Sequence, residues 1–305
     1  MSSKSDATRQ EISLYEATAD KELKRIQSEL RDESFVFEPA KGVPIKREGK
    51  KDRPLVVAAV RNRIVQRAIL NVLVQVPSLK RQFITPHSFG GISRVDTDDL
   101  SAVPAAIAAV LAAIKDGGRF IVKSDISDFF TRIPKPRVHA IIDDAVGNES
   151  FSKIFRLAIN VELANMADLR DKADLFPLHE IGVAQGCSLS PLLGNLVLSS
   201  FDDQVNAITG VRCIRYIDDF IIIADEQSAA RKAFRLAQHL LSELGMSLSA
   251  AKTTRAKIEE RFDFLGIEFC NGLLRPSRSS QKKFLSSVES FFPKAAERFV
   301  VTSQR

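Results

Sequence analysis

Tryptophan is absent from this 305-residue chain, tyrosine occurs twice, and there are four histidines and three cysteines. Each scarcity excludes a class of chemistry. Cys187, Cys213 and Cys270 show no metal-ligand spacing and lie in core-like segments, so neither a disulfide framework nor a zinc module is expected. Buried free thiols in a reducing cytosol are the expectation. The scattered histidines form neither a zinc site nor a nucleophile triad, and His87 and His179 read as structural or surface residues. No apolar run approaches the roughly 18 residues a membrane span needs, and the polar start from Met1 to Glu11 does not read as a secretory signal. The expected location is cytoplasmic, with no membrane partner.

What is present is an ordinary globular composition, 45% hydrophobic and 27% charged, with a net charge of +6. That length accommodates two subdomains around one continuous core. The basic residues are unevenly placed. Between Lys41 and Arg67 stand nine cations (Lys41, Lys46, Arg47, Lys50, Lys51, Arg53, Arg61, Arg63, Arg67) against Glu48 and Asp52. A local surplus of this kind suits phosphate contacts and makes binding salt-dependent, whereas the bland reading is a solvated basic face.

The most informative stretch is Arg215-Tyr216-Ile217-Asp218-Asp219-Phe220-Ile221-Ile222-Ile223. Two adjacent carboxylates interrupt two short apolar runs, Val211 to Ile217 and Phe220 to Ala224, which predicts a hairpin with the acidic pair at its tip. Taken alone, such a pair is usually a solvated turn. Upstream, Phe120 to Val122 predicts a strand that delivers Asp125 at its end, with Phe129 and Phe130 following. A strand-end carboxylate facing a hairpin-tip pair suits two metal ions about 3.5–4 Å apart, the arrangement used for in-line phosphoryl transfer. Between the two lies Gly182-Val183-Ala184-Gln185-Gly186-Cys187-Ser188-Leu189-Ser190-Pro191-Leu192, whose glycines permit close backbone approach to a ligand. A helix is expected from Leu192 to Phe201.

At these three segments the chain resembles the reverse transcriptases, specifically the bacterial group that includes group II intron, retron and defence-associated enzymes. Asp125 falls at the first palm aspartate, Gln185-Gly186 with Ser190-Pro191 matches Q-G-x-x-x-S-P, and Tyr216 to Asp219 matches Y-x-D-D. Gly245 to Thr253 resembles the fourth motif with its lysine, and Phe264-Leu265-Gly266 the fifth. Gly49 to Leu55, Arg61 to Gln66 and His87 to Gly90 resemble fingers segments. The resemblance spans about Ile45 to Phe269.

That resemblance implies an α+β right-hand polymerase with fingers, palm and a short helical thumb. The expected division is an N-terminal helical segment at 1–34 and fingers at 35–118. A palm follows at 119–272, with a helical insertion around 135–180, and a short or partial thumb at 273–305. It implies RNA-directed DNA synthesis on an RNA template from a DNA or RNA primer. Asp125, Asp218 and Asp219 would hold two Mg²⁺ ions, or Mn²⁺ as a substitute, with the carbonyl of Ile126 as a further ligand. Lys46, Arg47 and Arg53 would grip the triphosphate. Backbone near Asp128 and Phe129 would extend that cradle, Gln185 and Gly186 would line the pocket, and Lys252 would stand near the leaving pyrophosphate. Arg61, Arg63, Tyr216, Phe264, Leu265 and Gly266 would contact primer and template. Phe130 falls where the family places a bulky aromatic beneath the sugar, which implies dNTP in preference to rNTP.

The intact Gln185 segment disfavours the diversity-generating retroelement enzymes. The lack of a clear N-A-x-x-H segment or V-T-G triplet weakens a retron assignment. About thirty-five residues follow the fifth motif, with one amphipathic helix expected over Lys282 to Phe299. The duplex clamp would then rest on a minimal thumb, a structured noncoding RNA, a partner protein or a second copy. An anti-phage defence or retron-like setting is expected. Two rivals stand beside this reading: untemplated or protein-primed DNA synthesis on the same palm, and a non-catalytic RNA-binding scaffold.

Elsewhere, helices are expected over 10–33, Arg61 to Val76, Val103 to Ile114, Pro136 to Ala145, Phe151 to Ala167 and Arg231 to Leu244. Phe35 to Val57 is expected to be extended and broken by three prolines, and Ser88 to Asp99 to be loop.

Overall fold

The computed structural model describes residues 6–47, 49–92, 102–270 and 273–291. At its centre is a five-stranded sheet in the order β3-β5-β6-β4-β7. Its strands are β3 (Ser88–Phe89), β4 (Phe120–Asp125), β5 (Val211–Tyr216), β6 (Asp219–Ala224) and β7 (Thr254–Lys257). All neighbours are antiparallel except the short β3–β5 pair. The other strands are β1 (Lys41–Arg47) with β2 (Lys50–Val57), and a small sheet of β8 (Phe262–Phe264), β9 (Ile267–Cys270) and β10 (Leu273–Pro276).

Both faces of the central sheet are covered, which is why β6 reads as a continuous apolar run and does not alternate. Ile121, Ile214, Ile221 and Ile223 face one cluster, with Ala106 and Val110 of α5 (Ala102–Lys115) and Phe264 and Phe269 of the small sheet. Val122, Phe220, Ile222 and Ala224 face a larger one. That cluster takes in Leu192, Leu196 and Phe201 of α10 (Ser190–Asn206) and Phe234 and Leu241 of α11 (Gln227–Glu243). Ile221, Ile222 and Ile223 are fully buried, each contributing roughly 1.5–3 kcal/mol. The rigidity of these strands fixes whatever stands at their ends.

Around this core run α1 (Asp6–Ala17), α2 (Ala19–Arg31), α3 (Val60–Leu73), α4 (Pro77–Phe83), α6 (Phe129–Arg132), α7 (Lys135–Val146), α8 (Glu149–Ile159), α9 (Met166–Leu169) and α12 (Arg278–Phe291). Several elements depart from expectation. The helix expected over 10–33 is two, broken at Thr18, whose φ of −121° and ψ of 13° leave the helical region. The one expected over Phe151 to Ala167 starts at Glu149 and stops at Ile159. Beyond Asn160 the backbone is recruited elsewhere: the N–H of Ala40 donates to the carbonyl of Glu162 (2.7 Å), and that of Ala164 to the carbonyl of Ala40 (2.8 Å). Pro44 and Pro54, read as breaks, stand opposite one another inside the β1–β2 ribbon, where each strand is also an edge. Of the expected Ser88–Asp99 loop, residues 88–89 pair as β3 and 93–99 lie outside the described residues. Helix α12 begins four residues earlier than expected, and 292–299 of the expected helix lie outside the described residues. Cys213 is buried as expected, but Cys187 and Cys270 are half-buried.

Candidate active site

The acidic hairpin forms as expected, with one refinement. Tyr216 pairs with Asp219, so the two-residue loop is Ile217-Asp218 and Asp219 is the first residue of β6. Only the first loop residue has positive φ, +59° at Ile217, the sign pattern of a type II′ hairpin turn. Glycine is the usual occupant there. A β-branched residue at that angle is strained by roughly 1–3 kcal/mol and persists only where its surroundings over-determine it.

Asp125 stands directly opposite Asp219 in the β4–β6 register, because both strands end at the same level. The N–H of Ile126 donates to the carbonyl of Asp218 (3.1 Å), tying the strand end to the turn. Carboxylate oxygens of Asp125, Asp218 and Asp219 all lie within 4.8 Å of one another. Asp125 is buried and the other two are half-buried. Burial, and after it the charge of Asp125, raises the Asp218 carboxyl above its ordinary value. Burial, then Asp218 and Asp125, pushes Asp219 up to about 7.

A second segment is zipped onto the same strand end. The N–H of Ser127 donates to the carbonyl of Ser247 (2.8 Å), and that of Ser249 to the carbonyl of Asp125 (2.9 Å). The short turn Ala250–Lys252 then aims Lys252 Nζ at Asp125 Oδ2, 2.6 Å away. The hydroxyls of Ser124 and Thr253 meet at 2.8 Å and brace the turn from below. Lys252, expected beside the leaving group, therefore lies against the carboxylate cluster.

The Gln185-Gly186 loop reaches the β1–β2 ribbon through the N–H of Val56, which donates to the carbonyl of Gln185 (2.9 Å). Gly186 has φ of +111°, and a Cβ there would stand 2.8 Å from the carbonyl oxygen of Val56, so the close approach requires glycine. The ribbon itself is held by Asn165, which accepts from the N–H of Gly42 (2.9 Å) and donates to its carbonyl (3.0 Å). Lys172 also pairs with Asp52 at 2.7 Å. Lys46, Arg47 and Arg53 are exposed on this ribbon, and Arg53 bears electrostatically on Asp218. Arg47 donates to the carbonyl of Lys51 (3.0 and 2.8 Å), so it is partly engaged within the ribbon.

Asp128 is exposed, with φ of +50°, and it turns the chain into α6. Phe129 is buried, and Gly194 of α10 leaves room for its ring, since a Cβ there would stand 2.7 Å away. Phe130 is half-buried, its ring 5.2 Å from that of Phe129, and its carbonyl accepts from the N–H of Val183 (2.7 Å). Tyr216 packs over Gly90, where a Cβ would stand 2.8 Å from the ring. Leu265 and Gly266, with φ of +49° and +81°, form the β8–β9 turn, and Gly266 accepts from Ser277 N–H and the Ser280 hydroxyl at the start of α12.

Two expected contacts lie away from this cluster. Arg61 pairs with Glu29, approaches Glu38 at 3.6 Å, and stacks over Phe35 at 4.8 Å. Its guanidinium thus joins α2 to α3. Arg63 lines a cleft with Ile12, Tyr15 and Glu16 of α1. The residues missed in the sequence are Arg215, Asp202, Asn195 and Ser88, all buried behind the acidic turn. The available signal was an arginine in an apolar strand and an aspartate in an apolar helix, both charges in segments whose neighbours are core.

The donor set suits a hard divalent cation: three convergent carboxylates with no soft ligand among the described residues, whose mutual repulsion in a partly buried site an ion would offset. Without metal, the raised Asp219 carboxyl keeps a proton that the unfolded chain has already released. The folded state therefore holds more protons between the ordinary carboxylate range and about pH 7, so its stability falls as pH rises through that window. In chelator, Asp219→Asn should remove part of the pH dependence of the unfolding midpoint between pH 5.5 and 8. Superimposable profiles for the two proteins would contradict this electrostatic assignment.

Residues 45–269 match the family described as reverse transcriptase (RNA-dependent DNA polymerase). The chain is 26% identical to Protein YkfC of Escherichia coli K12 over 302 residues, covering 88% of this chain and 75% of that protein. It is also 26% identical over 182 residues to an uncharacterized 91 kDa protein in the cob intron of Schizosaccharomyces pombe, covering 60% of this chain and 20% of that one. Among solved structures, the fold is similar to apo telomerase from Candida tropicalis (TM-score 0.54, 14% identity, 80% of this chain). It is likewise similar to telomerase from Candida albicans in complex with a fragment of telomeric RNA (TM-score 0.54, 15% identity, 88% of this chain). The chain spans about half the length of those telomerases, 49% and 50%. With the α+β palm, the three converging aspartates and a family match across 45–269, the chain belongs to the reverse transcriptases, RNA-directed DNA polymerases and hence nucleotidyltransferases.

Proposed function

We propose that this protein copies an RNA template into DNA from a primer 3′-hydroxyl, using two Mg²⁺ ions held by Asp125, Asp218 and Asp219. The observation that carries this reading is the meeting of three carboxylates from two different chain segments within 4.8 Å, with Arg53 of the basic ribbon, which the Gln185-Gly186 loop contacts, bearing electrostatically on Asp218. When bound, the ions supply Lewis-acid activation of the attacking hydroxyl and charge neutralisation at the leaving pyrophosphate. The remaining work falls to the chain. Arg53, with Lys46 and Arg47, gives cationic donors for triphosphate oxygens, a guanidinium being suited to bidentate contact. Lys252 places a positive charge at the cluster and a proton donor beside it. Gly186 brings backbone close to the incoming nucleotide and template. Primer and template contacts are assigned to Tyr216 and the Phe264-Leu265-Gly266 turn, and an additional clamp would come from a structured RNA, a protein partner or a second copy. The setting, bacterial anti-phage defence or a retron-like system, rests on family resemblance.

The scaffold reading is disfavoured by the cost of gathering one buried and two half-buried carboxylates with no ligand to receive. Tyrosine priming is disfavoured at Tyr15, whose hydroxyl oxygen is buried.

The test is extension of a primed heteropolymeric RNA in Mg²⁺ with dNTPs, read by sequencing the product. Complementary DNA, lost on chelation, is the expected result; a product unrelated to the template would transfer the reading to untemplated synthesis. Phe130→Ala tests sugar selection in the same assay. Removing the ring beneath the sugar should lower discrimination against rNTPs by about tenfold or more, since a steric exclusion worth roughly 1–3 kcal/mol is lost. Unchanged discrimination would make Phe130 a packing residue only.

A further inference from the structure

The strained turn that presents Asp218 is held from behind by a fully buried guanidinium. Arg215 is 0% exposed and uses its donors on four groups. Its Nε donates to Asp202 Oδ1 (2.8 Å) and Nη2 to Asp202 Oδ2 (2.5 Å), a two-point ion pair with α10. Nη2 also donates to the Ser88 hydroxyl (2.7 Å) and Nη1 to Asn195 Oδ1 (2.9 Å). The remaining contact runs from Nη1 to the carbonyl of Ile217 (2.9 Å). That carbonyl belongs to the peptide joining Ile217 to Asp218, so the bond fixes the peptide plane from which the carboxylate projects. The N–H of Ile217 donates to the carbonyl of Phe89 (3.3 Å), so β3 holds the same residue from its other side.

The geometry points to Arg215 as a positioning residue for the metal site: it locks the Ile217–Asp218 peptide in its unfavourable conformation and thereby sets the Asp218 carboxylate against Asp125. A buried ion pair is not by itself a stabilising device, because desolvation consumes most of the attraction and an apolar pair of similar volume is often as stable. A purely structural arginine would need no bond to a turn carbonyl. Here the one donor facing the strained residue is spent on it, and the ion pair with Asp202 aims that donor. The inference deepens the polymerase reading and rests on it only for the consequence in turnover.

The charge-free pair Arg215→Met with Asp202→Leu separates the two roles, since Ser88 and Asn195 lie within 3.4 Å of each other and keep a partner. Mn²⁺ binding, followed by electron paramagnetic resonance on the full chain, is expected to weaken about tenfold or more while the metal-free unfolding midpoint stays near that of the parent, the range typical of supports behind metal ligands. Adding Ile217→Gly, which adopts the positive φ without restraint, is expected to recover at least about threefold of the lost affinity. Parent-like Mn²⁺ affinity in the folded double variant would overturn the inference. Should that variant not fold, Asp202→Asn keeps the shape and loosens the aim of the guanidinium. A loss of about threefold in Mn²⁺ affinity is then expected, and no loss overturns it. A parent that binds Mn²⁺ tightly yet makes no DNA would count against the polymerase reading and leave this one standing.

Discussion

Asp218→Asn is expected to lower the rate of Mg²⁺-dependent primer extension by about 10³-fold or more, equivalent to about 4 kcal/mol of transition-state stabilisation. The substitution preserves size and removes a single charge, so the loss would report on the charge and not on packing. The carboxylate lies at the loop of a two-residue hairpin, half-buried and within 4.8 Å of two others. Its pKa is raised by burial and by Asp125, so the metal-free protein carries an electrostatic cost at this site. Removing that cost should raise the metal-free unfolding midpoint while activity collapses, the opposed signs expected where a site is built for an ion and not for stability. A variant that is less stable as well as inactive would indicate that Asp218 serves the fold.

Arg215→Ala should have the largest effect on stability of any single change behind the site, about 3–5 kcal/mol, because it leaves the Asp202 carboxyl group, 1% exposed, without its partner. Since total stabilities are about 5–15 kcal/mol, the variant loses a large fraction of the whole, and its melting temperature should fall by roughly 5–8 °C. The contrast with the charge-free double substitution is the informative part. A single truncation strands a charge, whereas removing both charges strands none. Similar destabilisation in the two would mean that the cost is the cavity alone.

The parts of the site carried by local pattern were legible in the sequence. The apolar runs on either side of Asp218-Asp219 favoured strands, and the two-residue interruption between them left a hairpin as the natural connection. The strand before Asp125 and the helix after Ser190-Pro191 followed from the same periodicities. What was not legible depends on contacts between distant segments. The end of α8 at Ile159 reflects capture of residues 162–164 by Ala40, over 120 positions away, which no helical propensity records. Likewise Arg61 looks like a phosphate contact within its basic cluster, yet Glu29, Glu38 and the ring of Phe35 hold it against α2. The motif places Lys252 near the leaving group, and its pairing with Asp125 at 2.6 Å depends on the Ser247–Ser249 segment joining the strand end. Arg215 was hidden for a related reason: an arginine in a basic chain draws no notice until its neighbours are known to be core.

The most direct measurement is a template exchange with the purified full chain in Mg²⁺. Poly(rA) primed with oligo(dT) is compared with poly(rC) primed with oligo(dG), each offered all four labelled dNTPs in separate reactions. RNA-directed synthesis predicts dTTP incorporation on the first and dGTP on the second, each abolished by chelation and by Asp125→Asn. The same nucleotide preference on both templates, or incorporation that survives Asp125→Asn, would contradict it.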